Sequence, residues 1–148
     1  AHNNLGNAFR ELGQLDDAIK SYEKALDLNP DYTYAHNNLG NVFKDLGQVD
    51  AAVECYEKAI VIQPDYAEAH NNLGNAYKEL GQLDDSVKCY KKALTLKPDY
   101  AYAHNNLGNA FRELGQLDDA VKSYEKALAI NPDFTGAQNN LSDAKALK

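Results

Sequence analysis

The sequence predicts an all-α fold in which helical hairpins stack side by side into an α-solenoid. A segment of 34 residues recurs four times in the 148-residue chain. Apolar residues inside each segment follow a helical period, and glycine and proline recur at fixed positions. A period of this length is typical of arrays in which each unit buries its apolar face against its neighbours.

The repeat is exact enough to define the domain organisation. The string AHNNLG recurs at a constant step, as do a glycine and a proline: Ala1, Ala35, Ala69 and Ala103; Gly13, Gly47, Gly81 and Gly115; Pro30, Pro64, Pro98 and Pro132. We therefore divide the chain into repeats at residues 1–32, 33–66, 67–100 and 101–134, followed by a C-terminal capping helix at 135–148.

Each repeat contains two amphipathic helices. In the second repeat the first apolar stripe comprises Leu39, Val42, Phe43 and Leu46, and the second comprises Ala52, Val53, Tyr56, Ala59 and Ile60. Gly47 separates them, and Pro64 ends the second helix. We expect Asp50 to be the N-cap of the second helix, after Val49, and Asp65 to cap the helix that follows.

A glycine inside each first helix predicts a close contact between the two helices of a hairpin. Gly40 costs about 1 kcal/mol relative to alanine in a helix, and the glycine recurs as Gly6, Gly74 and Gly108. A cost that recurs in every repeat indicates close approach by the partner helix. We expect Ala52 and Tyr56 to be the neighbours of Gly40.

These residues carry a resemblance to a known family. A 34-residue unit with Leu39, Gly40, Phe43, Ala52, Tyr56, Ala59 and Pro64 resembles the tetratricopeptide repeat over essentially the whole chain. One position departs, because His36 stands where the family often has tryptophan. The repeats look most similar to the Asn-rich repeats of O-linked N-acetylglucosamine transferase-like proteins. The resemblance implies a right-handed superhelix whose first helices line the concave side.

The tail repeats a first-helix pattern and then departs from it. Ala137, Asn140 and Leu141 keep the pattern, whereas Ser142 replaces the glycine and Lys145 replaces the buried aromatic residue. A more polar final helix is what a terminal cap of a repeat array requires.

Three asparagines in each first helix are the main functional signal. Asparagine is a mediocre helix former, yet it recurs off the apolar stripe, where stacking would align it into ladders along the concave groove. An amide offers donors and an acceptor that match an extended peptide backbone. In the transferase repeats that the sequence resembles, such asparagines hold the backbone of a bound polypeptide. The candidate residues are Asn38, Asn72 and Asn106, supported by Asn41 and Asn75, with Asn4, Asn7 and Asn109 at equivalent positions and Tyr34 and Tyr102 one turn earlier.

The alternative for these asparagines is that they bond only to one another across the repeat interface. Glu68 and the charged residues at the other end of the first helices form the rims of the groove, or else a solvated helix face. Other tetratricopeptide domains grip a chaperone carboxylate with lysine and arginine at several of these groove positions. Asparagine, tyrosine and glutamate stand there in this chain, which argues against that partner.

Composition excludes several other classes of function. A net charge of −7 disfavours nucleic acid and anionic membranes as partners. No apolar run approaches a membrane span, and no signal peptide opens the chain, so we expect a cytoplasmic or nuclear protein. No motif for catalysis or nucleotide binding is present, so we expect neither an enzyme nor a cofactor.

The histidines and cysteines do not predict a metal or disulfide site. One histidine per repeat places neighbouring imidazoles about 10 Å apart, too far for a shared zinc ion with ligands at about 2 Å. We expect them to be packing residues. Cys55 and Cys89 occupy equivalent places in successive repeats, too far apart for a disulfide, and we expect reduced thiols near the helix surface.

The pattern therefore predicts a scaffold that binds a protein or extended peptide in a concave asparagine groove. Head-to-tail self-association through the N-terminal end is one alternative. The other is the substrate-targeting segment of a larger glycosyltransferase, since a chain without methionine is expected to be a fragment.

Overall fold

The computed structural model describes all 148 residues, and its regular structure consists of nine α-helices. They are α1 His2–Glu11, α2 Leu15–Leu28, α3 Thr33–Asp45, α4 Val49–Ile62, α5 Ala67–Glu79, α6 Leu83–Leu96, α7 Ala101–Glu113, α8 Leu117–Ile130 and α9 Thr135–Leu147. The first eight form four antiparallel hairpins, and α9 packs on α8 and α7. None of the helices is both long and apolar enough to cross a bilayer.

A glycine in the left-handed conformation closes each hairpin. Gly47 has φ 78°. This backbone conformation is strained for a residue with a Cβ atom but not for glycine. The Gln48 amide donates to the Phe43 carbonyl at 2.8 Å, and the Gly47 amide donates to the Lys44 carbonyl at 3.0 Å. These two bonds form the Schellman motif, which satisfies the last carbonyls of α3. The chain can therefore reverse within three residues.

The N-cap predictions for Asp50 and Asp65 are wrong, because neither carboxylate caps a helix. Gln48 ends the Schellman motif and is itself the N-cap of α4, so Val49 is already helical and Asp50 lies inside the first turn. There its charge complements the helix dipole. Asp65 lies one residue too early, because Tyr66 is the N-cap of α5 and makes no side-chain cap bond.

The hairpin interior is built on one tyrosine packed against one glycine, as predicted for Tyr56 and Gly40. Tyr56 is fully buried, and a Cβ atom on Gly40 would lie 2.7 Å from its ring. The same contact recurs between Gly6 and Tyr22, between Gly74 and Tyr90, and between Gly108 and Tyr124. The recurring glycine therefore makes room for an aromatic ring.

The inter-helix contacts show which helices lie on the inside of the curve. Each second helix contacts the first helix of the next hairpin, which joins the hairpins into one continuous array. Consecutive first helices also contact one another, from α1 with α3 to α7 with α9. Consecutive second helices make no such contact. The first helices therefore form the inner face of the solenoid, and the second helices form its outer face.

Helix α9 packs against the last hairpin through small side chains. Ala137 and Ala144 are fully buried against the last hairpin, whereas Ser142 and Lys145 are exposed. The helix thus presents one small apolar face inward and a polar face outward.

Candidate functional site

The asparagines of the first helices lie in three rows along the inner face, and the rows differ in burial. The buried row is Asn3, Asn37, Asn71 and Asn105. The bridging row is Asn4, Asn38, Asn72, Asn106 and Asn140, and the anchored row is Asn7, Asn41, Asn75 and Asn109. Asn4 is exposed, and the other members of these two rows are partly exposed.

The bridging row joins each hairpin to the one before it. Asn38 Nδ2 donates to Asn3 Oδ1 at 3.1 Å, and Asn72 Nδ2 donates to Asn37 Oδ1 at 3.0 Å. The same bond links Asn106 to Asn71 at 3.1 Å and Asn140 to Asn105 at 3.0 Å. The alternative of asparagines that bond to one another across the repeat interface therefore describes part of this site.

The buried row faces the repeat interface, which corrects the expectation that all these asparagines face the groove. Asn37 and Asn71 are each only 5% exposed. Besides accepting from the bridging row, Asn37 donates to the Tyr66 hydroxyl at 3.3 Å and Asn71 donates to the Tyr100 hydroxyl at 3.4 Å. These tyrosines were not among the predicted site residues, although Tyr32, Tyr66 and Tyr100 follow the first three of the four Pro-Asp pairs and this recurrence could have signalled a role.

The anchored row is held by the tyrosines of the hairpin cores. The Tyr56 hydroxyl donates to Asn41 Oδ1 at 2.6 Å, and the Tyr124 hydroxyl donates to Asn109 Oδ1 at 2.6 Å. Tyr22 and Tyr90 make the same bond to Asn7 and Asn75. Burial raises the pKa of the Tyr56 hydroxyl well above its usual value, so the group stays a proton donor. Because the tyrosine fixes Oδ1, the orientation of each amide is fixed as well.

The rows retain hydrogen-bonding groups that solvent can reach. No buried side-chain nitrogen or oxygen lacks a partner. Asn41 Nδ2 and Asn38 Oδ1 make no hydrogen bond within the chain, so both atoms must be accessible. The same holds for their equivalents in the third and fourth hairpins. The inner face therefore carries a row of free N–H donors beside a row of free carbonyl acceptors.

Aromatic side chains stand at the end of the rows near the Pro-Asp turns. Tyr34 is 51% exposed and Tyr102 is 64% exposed, each in the first turn of its helix. Tyr34 packs edge-on against Tyr66, with ring centroids 5.4 Å apart, and Tyr102 packs against Phe134 at 5.1 Å. At the equivalent place of the third repeat, Glu68 forms an ion pair with Lys97 at 3.8 Å. This rim therefore alternates aromatic and charged surface.

The other end of the rows carries a ladder of ion pairs. Arg10 bonds Asp45 at 2.7 Å, Lys44 lies 3.8 Å from Glu79, and Lys78 lies 3.4 Å from Glu113. Exposed pairs of this kind contribute about 0–1 kcal/mol each. They repeat the register of the asparagine bridges and leave few unpaired charges on that rim.

The histidines and cysteines serve the packing. His70 Nε2 lies 2.9 Å from the Pro64 carbonyl oxygen, and His36 and His104 make the same contact with Pro30 and Pro98. No three side chains among His, Cys, Asp and Glu come together as metal ligands would. Both cysteines are free. Cys55 belongs to the buried core, which corrects the expectation that it lies near the surface.

Comparison with known families gives matches along nearly the entire chain. The model described as TPR repeat matches residues 6–47, 40–81 and 74–113, and the model described as Tetratricopeptide repeat matches residues 101–134. No curated protein matches the chain.

Solved structures with the same fold confirm the predicted all-α right-handed solenoid. The crystal structure of MamA is 30% identical, with a TM-score of 0.85 over 95% of this chain and 82% of that one. A structure of Pseudomonas aeruginosa pilF is 25% identical, with a TM-score of 0.91 over 97% of this chain and 65% of that one. The first TPR of Spaghetti (RPAP3), bound to the HSP90 peptide SRMEEVD, is 26% identical, with a TM-score of 0.76 over 78% of this chain and 91% of that one.

Proposed function

The chain belongs to the tetratricopeptide repeat family, and from this membership we propose that it is a protein-interaction scaffold that binds an extended polypeptide along its inner face. A repeat domain of the same fold binds a peptide in the Spaghetti structure, which supports the general role. The finer proposal concerns the chemistry of binding, in which asparagine amides contact the main chain of the ligand.

The observation that carries the proposal is the row of free amide donors held by buried tyrosines. In Asn41, Asn75 and Asn109 the oxygen is occupied by a tyrosine hydroxyl, while Nδ2 is accessible and has no partner. Fixing the oxygen prevents the amide from flipping, so the donor is pre-organised before a ligand arrives. Pre-organisation lowers the entropic cost of binding.

The spacing of the rows suits an extended chain. Packed helices lie about 8–10 Å apart, and an extended polypeptide advances about 3.3 Å per residue. One repeat therefore corresponds to about three ligand residues. Each repeat offers Asn41-type donors to carbonyl groups and Asn38-type oxygens to N–H groups. Contacts of this kind depend on the backbone, so we propose a scaffold with broad side-chain tolerance.

A pair of double variants would test the role of the anchored row. In Asn41→Asp with Asn75→Asp, each carboxylate still accepts the tyrosine hydroxyl bond, but the N–H donor is lost and a charge replaces it. Asn29→Asp with Asn131→Asp adds the same charge in the Pro-Asp turns, where these side chains only accept a backbone N–H. The control therefore accounts for the change in net charge, which is the same in both double variants.

The measurement is binding to an array of short peptides, followed by affinities for the sequences that the parent retains. We expect the anchored-row variant to bind at least about tenfold more weakly, since two hydrogen bonds of about 1 kcal/mol each are lost. The turn variant should bind as the parent does. If the parent retains no peptide, or if both variants bind equally, the inner face is not the binding site.

One observation favours self-association as a second candidate function. Leu5 is 46% exposed, whereas Leu39, Leu73 and Leu107 at the same place are each 7% exposed. Leu12, which follows α1 as its C-cap, is 70% exposed. A second copy stacked on α1 would cover both side chains, and sedimentation across a range of concentrations would detect it. A Leu12→Glu variant that sediments like the parent would count against this candidate.

We further propose that the asparagine-rich repeats are related to those of the transferase-like proteins. We propose on this basis that the ligand of a longer parent protein would be a substrate polypeptide of a glycosyltransferase. Sequencing the reading frame that encodes this segment tests the idea, because the idea requires that the same frame also encodes a sugar-nucleotide-dependent domain.

A further inference from the structure

A groove on the outer face lies between α6 and α8, with α7 as its floor. It encloses about 450 Å³. Phe111 and Leu94 are half-buried in it, and Leu107 lies beneath them. Helices α6 and α8 make no contact with each other, so the groove is open along its length. It stands on the opposite side of the first helices from the asparagine rows.

The charge of this groove is opposite to that of the chain. Lys91, Lys122 and Lys126 line it, with Asp119 as the single carboxylate, a local balance of +2 in a chain of net charge −7. None of the three lysines takes part in an ion pair. All three are exposed, and Lys91 Nζ lies 5.8 Å from the centre of the Phe111 ring. The groove thus offers unpaired ammonium groups around an apolar floor.

The equivalent groove one repeat earlier does not share this charge. The groove between α4 and α6, of about 480 Å³, has two lysines, Lys88 and Lys92, balanced by Glu57 and Asp85. The difference comes largely from one position. Lys91 stands where the other repeats have glutamate, namely Glu23, Glu57 and Glu125. Because the fold is the same in both places, this charge reversal is a property of the sequence and not of the architecture.

We propose that the α6–α8 groove binds an acidic peptide segment of a partner protein, with carboxylates against the lysines and an apolar side chain on the floor of Leu94 and Phe111. Charge complementarity favours an anionic ligand. The apolar floor favours a peptide over a polyphosphate backbone, which would bring no apolar group to it. The overall negative charge of the chain also repels a long polyanion more than a short acidic segment. This site is independent of the inner-face function.

A fluorescein-labelled peptide of alternating glutamate and leucine residues provides the probe, measured by fluorescence anisotropy at low ionic strength. Lys122→Glu with Lys126→Glu reverses two groove charges. Lys20→Glu with Lys24→Glu makes the same change at the equivalent positions of α2, away from the groove. Lys91→Glu introduces the residue that the other three repeats carry, so it should fold normally. Circular dichroism compares the helix content of all the variants.

We expect the groove double variant to bind the probe about tenfold more weakly, and Lys91→Glu severalfold more weakly, since each exposed ion pair contributes about 0.2–1 kcal/mol. The α2 variant should stay within about twofold of the parent, because only screened, long-range repulsion changes. The inner-face variant Asn41→Asp with Asn75→Asp should bind the probe as the parent does, which separates this site from the proposed function.

The assignment is overturned if the parent does not bind the probe, or if the α2 and groove variants weaken binding equally. It is also overturned if the inner-face variant no longer binds the probe, or if a peptide with lysine in place of glutamate binds equally well. A single-stranded oligonucleotide that binds more tightly than the peptide and loses affinity in the groove variant would assign the groove to nucleic acid instead.

Discussion

Asn72 Nδ2 donates to Asn37 Oδ1 at 3.0 Å across the boundary between the second and third hairpins, and Asn37 Nδ2 in turn donates to the Tyr66 hydroxyl. This chain of bonds distinguishes the rows of asparagines on the inner face by what their side chains contact. The buried row stabilises the stacking of hairpins, while the bridging and anchored rows keep free groups on the surface. The row to which an asparagine belongs must therefore be known before its contribution to stability or to ligand binding can be inferred.

The buried row predicts a loss of stability on truncation that depends on burial. Asn71→Ala removes the acceptor of Asn106 and the donor to Tyr100, so we expect unfolding to become easier by about 1–3 kcal/mol. Asn139 has the same position in α9 but is exposed and has no side-chain partner. Asn139→Ala should change stability by no more than about 0.5 kcal/mol.

Urea denaturation followed by circular dichroism would compare the two variants. Because the units of a repeat array can unfold separately, the midpoint and the slope of the transition should both be reported. Equal midpoints for Asn71→Ala and Asn139→Ala would show that the buried bonds contribute nothing to the stacking of the hairpins.

The contact between Gly74 and Tyr90 predicts a strongly non-additive pair of substitutions. A Cβ atom on Gly74 would lie 2.7 Å from the fully buried Tyr90 ring. We expect Gly74→Ala to destabilise the protein, since crowding of about 1–3 kcal/mol exceeds the gain of about 1 kcal/mol in helix propensity. Tyr90→Leu should be destabilising alone and should tolerate Gly74→Ala, because the smaller side chain leaves room for the methyl group.

A double-mutant cycle of thermal unfolding measures this coupling. Gly136→Ala in α9 is the control, because its Cβ atom would meet only the edge of the Phe134 ring, at 3.2 Å. That variant should be neutral or slightly stabilising. Additive effects of Gly74→Ala and Tyr90→Leu would refute the steric explanation for the recurring glycine.

Part of this organisation could be predicted from the sequence. The helical hairpins followed from the period of 34 residues, and the pairing of Gly40 with Tyr56 followed from their positions within one repeat. Both depend on contacts inside a single hairpin, which the sequence of one repeat determines. The burial of Asn37 could not be predicted, because it depends on how far each hairpin rotates against the next, and no single repeat encodes that rotation. The misplaced N-cap at Asp50 has a different cause. Gln48 completes the Schellman motif after α3 and is also the N-cap of α4, whereas residue preferences at the N-cap position favour aspartate.

The buried tyrosines predict that the protein loses stability at high pH. Burial raises the pKa of Tyr66 to about 12, against 10.0 for the free side chain. Between these values the unfolded chain releases a proton that the folded chain keeps, so the free energy of unfolding falls as pH rises above 10. One such group contributes a slope of about 1.4 kcal/mol per pH unit. Tyr56 and Tyr90 are shifted in the same direction by burial.

Unfolding free energies measured in urea between pH 8 and about pH 11 would test this slope. Tyr66→Phe should make the dependence shallower, even though its stability at pH 8 is lower for loss of the Asn37 bond. Tyr102, which is 64% exposed, provides the control substitution to phenylalanine. If the slopes of the parent and Tyr66→Phe coincide, ionisation of Tyr66 does not limit alkaline stability.

The two cysteines predict slow reaction with thiol reagents in the folded state. Burial raises the pKa of both the Cys55 and Cys89 thiols to about 11, from 9.0. A shift of this size lowers the reactive thiolate fraction near neutral pH about a hundredfold. Cys55 is only 7% exposed, whereas Cys89 is half-buried, so Cys89 should react first.

Iodoacetamide labelling followed by mass spectrometry would measure both rates, with urea-unfolded protein as the reference. The variants Cys55→Ser and Cys89→Ser isolate each thiol and are expected to fold, because Ser21 and Ser123 occupy the same position in the other repeats. Labelling of either thiol at the unfolded rate would mean that the second helices open far more readily than their packing indicates.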